Sequence, residues 1–175
     1  MTTDIKRTPH YKFNLRLQVK IMKITDILKK STILVHEHIQ SKDAALSIMI
    51  EALSKSGQIS DAVEVSRVVW EREKIMSTGI GKGFALPHGK TNSVTETVGC
   101  FLTLDEPIDF DALDSMPVNT VFMLIGRENT VGTHLRLLSR ISRLMNNDAF
   151  RSEVTNAQTS DEVFALFERE EATIS

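Results

Sequence analysis

Apolar residues recur along the chain in two periods, and their alternation sets the expected architecture. Between Ser41 and Ser56, Ala45, Ile48, Met49, Ala52 and Leu53 fall at helical spacing, with Ser41 placed to cap the helix and Gly57 to stop it. Ser60 is the expected N-cap of a second helix whose apolar face is Ala62, Val65, Val68 and Val69. Val98 to Leu104 and Val118 to Ile125 are nearly continuous apolar runs and predict strands of a mostly buried sheet. Phe84-Ala85-Leu86 predicts a further short strand running into Pro87-His88-Gly89. Three helical patterns close the chain, roughly 134–146, 148–156 and 161–169. The first carries His134, Leu137, Leu138, Ile141 and Met145 on one stripe, with Thr133 as its cap. Helices interleaved with strands predict a layered α/β domain with its sheet inside.

The N-terminal 21 residues follow a different rule. Phe13, Leu15, Leu17, Val19 and Ile21 alternate strictly with polar residues, the period of a half-buried strand. Lys6, Arg7, Lys12, Arg16 and Lys20 stand there against Asp4 alone, so the segment is about +4 and the remainder about -6 within a total of -2. An edge strand or extension is expected for residues 1–21, and a domain for 22–175 that begins near Met22. An arm docking on an acidic partner is the other reading of the basic segment.

Composition narrows the function classes. With 175 residues, 41% of them hydrophobic and 25% charged, the chain suits one globular domain. No dense block of lysine and arginine points to nucleic acid. The longest uninterrupted apolar run is Val121 to Ile125, far short of the roughly 20 residues of a membrane helix. A lone Cys100 and an N-terminus without a secretory pattern make the cytoplasm the expected compartment.

Candidate chemistry concentrates between Ser77 and Lys90. Gly79, Gly81 and Gly83 allow tight turns and close approach of backbone N–H groups to an anion. A nucleotide loop fails on detail, because Lys82 is followed by Gly83 where Ser or Thr is needed and the loop precedes a strand where a helix is required. His88 sits between a proline that fixes the approach and a glycine that removes bulk, so its imidazole is expected to be rigid on one side and open on the other. Arg72, four residues after Val68, continues the apolar face of its helix toward this loop; pairing with Glu71 or Glu73 at the helix end is the alternative. His134 in a first helical turn feels the positive end of the dipole, which disfavours its charged form and favours a nearby anion; a core or capping histidine is the alternative. Two histidines, an arginine and a glycine loop together suit the holding of a phosphoryl group. A metal hydrolase drawing on Asp109, Asp111 and Asp114 lacks ligand spacing.

The run from Ser77 to Lys90 resembles the signature of the type-2 IIA domains of the bacterial phosphoenolpyruvate-dependent phosphotransferase system, the fructose and mannitol class, and in particular the nitrogen-regulatory IIA proteins. Arg72-Glu73-Lys74 with Met76, Pro107-Ile108, Phe110 to Asp114, Pro117-Val118 and Thr133-His134-Leu135 support it, so that the resemblance covers about residues 23–170. It implies a mixed, about five-stranded sheet between helices. It further implies that His88 accepts a phosphoryl group from a small HPr-like carrier, with Arg72 and His134 flanking it and Gly79, Gly81 and Gly83 cradling the phosphoryl. Such a protein is a phosphocarrier and needs neither metal nor cofactor. Nitrogen-regulatory relatives can carry a second histidine where this chain has Arg136, expected to be solvent-exposed. With no transporter or DNA-binding segment in the sequence, a regulator meeting target proteins in trans is the first expectation, and a sugar-transport IIA passing phosphate to a IIB domain the alternative.

Overall fold

The computed structural model describes residues 22–173; the strand pattern read at residues 13–21 lies outside them. In chain order the elements are α1 (Ile24–Ile27), β1 (Leu28–Glu37), α2 (Lys42–Lys55), α3 (Ala62–Ile75), β2 (Gly79–Gly81), β3 (Phe84–Ala85), β4 (His88–Lys90), β5 (Val98–Ile108), β6 (Val118–Gly126), α4 (Val131–Asn146), α5 (Asp148–Asn156) and α6 (Ser160–Thr173). The strands form one mixed sheet in the order β1-β5-β6-β3-β2, with β4 also pairing β6. Both β3 and β4 run parallel to β6, Phe84 opposite Thr120 and His88 opposite Leu124. They are one line of chain interrupted at Leu86-Pro87, so six strands fill five lanes, which reconciles the sheet with the five strands expected. The interruption is local chemistry. Pro87 has no N–H for the ladder, yet its carbonyl still accepts from Leu124 N at 3.0 Å.

Alternation along β5 and β6 sends side chains into two separate cores. Cys100, Leu102, Val121, Met123 and Ile125 pack with Leu46, Met49 and Leu53 of α2 and Val65 and Val69 of α3. Phe101, Phe122 and Leu124 pack on the other side with Leu137 and Ile141 of α4, Phe150 of α5 and Phe167 of α6. A strand covered on both faces reads as an unbroken apolar run, which is why Val121 to Ile125 shows no alternation in sequence.

Most differences from the expected elements concern their ends. Ser41 caps α2 through Ala44 N at 3.2 Å as expected, whereas α3 is capped by Asp61, which accepts from Glu64 N at 3.0 Å. Ser60 instead donates its hydroxyl to the Ser93 carbonyl. Helix α4 begins three residues earlier than read, with Thr130 at its N-cap, so Thr133 lies inside the first turn and is not the cap. Strand β5 continues past Leu104 to Ile108. The Gly79–Gly83 stretch, expected as a loop, is a hairpin of β2 and β3.

Candidate active site

His88 is carried on β4, and two features bring its partners to it. A Cβ at Gly89 would stand 2.9 Å from Cγ2 of Val68, so the missing side chain is what lets α3 lie against β4. Arg72, one turn beyond Val68, then reaches the imidazole: its Nε lies 3.2 Å from Nε2 of His88, and its NH1 donates to the Met76 carbonyl at 2.9 Å. On the other side of the ring, Nδ1 of His88 is 2.8 Å from the Leu86 carbonyl. A carbonyl only accepts, so Nδ1 holds the proton and Nε2 the lone pair. The ring is half-buried, and that burial pushes its pKa below the ordinary histidine value; the Arg72 charge acts in the same direction, against the Leu86 bond and the Glu73 carboxylate.

His134 completes the group. Its ring centroid lies 5.9 Å from that of His88 at 52°. Only 4% exposed, it has an Nδ1 with no hydrogen-bond partner among the described residues. This atom presses on the backbone of Gly126, where a Cβ would overlap it. An unpartnered buried donor is the costlier arrangement, which assigns the proton to Nε2 and the lone pair to Nδ1. Burial first, then the neighbouring His88 and Lys90, lower the His134 pKa to about 4. Both rings therefore favour the neutral form at pH 7, with the lone pair of His88 on Nε2, beside Arg72.

These groups line a cavity of about 480 Å³ together with Lys90, Val131 and Leu135. Gly79, Gly81 and Gly83 are not in its wall. They pack on the segment before β6 and on its first residues: a Cβ at Gly79 would meet Ala112 at 2.8 Å, one at Gly81 the Asp114 carboxylate at 3.0 Å and one at Gly83 the Asn119 side chain at 3.2 Å. The Lys82 N–H that an anion would need is held by Asp114 at 2.8 Å. The glycines expected to cradle the phosphoryl group thus lie in a hairpin away from the cavity, with the Gly79 and Lys82 amides bonded to Ser77 and Asp114. Neither carboxylate offered as an alternative partner for Arg72 takes it, since Glu71 pairs with Arg67 and Glu73 with Lys42. Arg136 is exposed, and Lys90 is exposed at the cavity rim. Sequence reasoning did not find the Leu86 carbonyl, Gly126 or Lys42; each acts through a contact distant in sequence or through backbone, which leaves no residue-type signal.

The family model described as "Phosphoenolpyruvate-dependent sugar phosphotransferase system, EIIA 2" matches residues 26–170. The chain belongs to this family. It is 33% identical over 153 residues to the nitrogen regulatory protein of Escherichia coli (strain K12), covering 87% of this chain and 93% of that one. It is 34% identical over 145 residues to the fructose-specific EIIABC component of Bacillus subtilis (strain 168), covering 83% of this chain but only 23% of that protein. Among solved structures, the nitrogen regulatory protein IIA-Ntr from Neisseria meningitidis superposes with a TM-score of 0.78 at 31% identity, over 82% of this chain and 98% of that one. The EIIA type-2 fold expected from the Ser77 to Lys90 signature is therefore the fold observed. Residues 1–21 fall outside the matched span. No helix among the described residues is long and apolar enough to cross a membrane.

Proposed function

We propose that this EIIA protein is a histidine phosphocarrier of the regulatory, nitrogen type, and that His88 receives the phosphoryl group from a phosphohistidine on an HPr-like carrier. The observation that carries the reading is the Nδ1 contact to the Leu86 carbonyl at 2.8 Å, which leaves Nε2 as a nucleophilic lone pair inside the cavity. In the transfer, Nε2 of His88 forms the new N–P bond as the N–P bond to the carrier ring breaks, its electron pair returning to that ring. The proton stays on Nδ1, hydrogen-bonded to the Leu86 carbonyl, throughout. Charge spreads over three equatorial oxygens during transfer, so the protein contributes positioning and electrostatics. Arg72, whose Nε caps the lone pair in the resting protein, turns its donors to those oxygens, and Nε2–H of His134 supplies another.

A phosphoryl group brings close to two negative charges to the cavity mouth and so changes which proteins the surrounding surface binds. Likeness across nearly the full length of nitrogen regulatory proteins supports regulation of targets in trans. The 34% identity to a fructose-specific EIIABC component favours a second reading, onward transfer to a IIB domain. Incubation with phosphoenolpyruvate and the two upstream carriers is expected to give one acid-labile phosphate per chain, absent in His88→Ala; label that survives this substitution overturns the assignment. Chasing the labelled protein with a IIB domain separates the two readings, because a pure regulator keeps its label.

A further inference from the structure

The geometry points to Glu73 as a positioning residue that braces both sides of the His88 site through Thr78. The inference rests on the reading of His88 as the phosphoryl acceptor and goes beyond it, since Glu73 touches neither His88 nor the space a phosphoryl group would occupy.

Glu73 is out of place by local rules. It lies in the last turn of α3, where the helix dipole disfavours an anion, and it is 5% exposed. Three groups offset that placement. Thr78 donates its backbone N–H at 3.0 Å and its hydroxyl to the carboxylate, and Lys42 at the start of α2 approaches it at 2.6 Å. Lys42 is itself fixed by the Phe110 carbonyl at 3.2 Å and by Asp111 at 3.3 Å. A buried ion pair is weak evidence of stability in general, so its presence at this helix end calls for another use.

That use is visible in what Thr78 does next. Its carbonyl accepts from Leu86 N at 2.9 Å, and the Leu86 carbonyl is the group that holds Nδ1 of His88. On the other branch, the turn closed between Glu73 and Thr78 contains Met76, whose carbonyl anchors NH1 of Arg72. One carboxylate therefore fixes the imidazole through Thr78 and Leu86, and the guanidinium through the Met76 turn. The 3.2 Å approach of Arg72 Nε to His88 Nε2 is where the two branches meet. A reacting pair held from both sides loses rate steeply when either support slackens.

The test is Glu73→Gln, which keeps an acceptor for Thr78 while removing the charge, with Thr78→Val as a second variant that removes the hydroxyl and leaves the carboxylate. In the unphosphorylated full-length protein, NMR titration of the His88 ring is expected to show its pKa lower in Glu73→Gln than in the parent, since a nearby anion favours the charged ring. The Nδ1–H tautomer, dominant in the parent, is expected to become mixed in both variants. The rate of phosphorylation by the carrier falls roughly tenfold in each with KM unchanged, as suits a group that does not meet the carrier. A folded Glu73→Gln protein with the parent titration, tautomer and rate overturns the proposal. If that variant does not fold, parent tautomer and rate in Thr78→Val overturn it equally. The ring titration needs no phosphoryl transfer, so loss of the His88 assignment through label surviving in His88→Ala is seen separately from failure of the brace.

Discussion

Protonation is the residue-scale property on which this site turns, and it ties function to acid stability. His134 has an ordinary pKa of 6.5 that the fold lowers to about 4. Between those values the unfolded chain binds a proton that the folded chain refuses, so the unfolded state gains as pH falls. Stability is then full above about pH 6.5, declines as pH drops toward about 4, and changes no further from this group below that. The loss is at most about 3 kcal/mol. Replacing the ring in His134→Gln is expected to flatten this part of the stability–pH curve, measured by urea unfolding at pH 7 and at pH 4.5. A variant with the parent slope would remove His134 as its source. The dipole argument made from sequence has the right sign for this ring, but the larger cause is burial against Gly126, which no local pattern reveals.

At the scale of elements, the two cores divide the work. The core under α2 and α3 positions Arg72 over β4, while the core under α4 to α6 is held by aromatic packing around Phe167. The Phe167 ring meets Phe101, Phe122 and Phe150 edge-on at centroid distances of 5.4, 6.0 and 5.3 Å. Phe167→Ala removes all three contacts at a fully buried position and is expected to cost about 3–5 kcal/mol in denaturant unfolding. Phe167 lies on α6, which does not line the cavity, so the folded fraction should still label at His88; a folded variant that fails to label would show the packing of α6 to be coupled to the site through α4. The same division explains what was legible beforehand. Helices α2 and α4 and the central strands β5 and β6 announce themselves because a stripe or a continuous run reports burial directly. Strand β1 does not: among the described residues it is an edge, with Lys29, Lys30 and Ser31 exposed and register shifts along its pairing with β5. His88 and Arg72 were legible from a local motif and a helical repeat. The hairpin is not legible, because glycines that pack on Ala112 and Asp114 look in sequence like glycines that would cradle an anion.

For the whole molecule, the decisive surface is the rim of the cavity. Ile75, Val131 and Leu135 line it while remaining 80, 48 and 59% exposed, and Met76 beside them is 58% exposed. Large apolar side chains gathered around a reactive group mark an interaction surface, whereas single ones need no explanation. Under the proposed function, transfer from a carrier phosphohistidine to His88 brings the two rings together out of water, so the carrier would cover this rim before chemistry begins. Leu135→Asp places a charge in the middle of that contact without touching His88. It is expected to raise the KM for the phosphorylated carrier about tenfold and to leave the unfolding free energy within about 0.5 kcal/mol of the parent. Val63→Asp is the control: Val63 is 81% exposed on the same helix as Arg72 but does not line the cavity, and its replacement should change neither quantity. Equal effects of the two substitutions would mean that the carrier docks elsewhere, and the apolar rim would then have to serve the proteins that read the phosphorylation state.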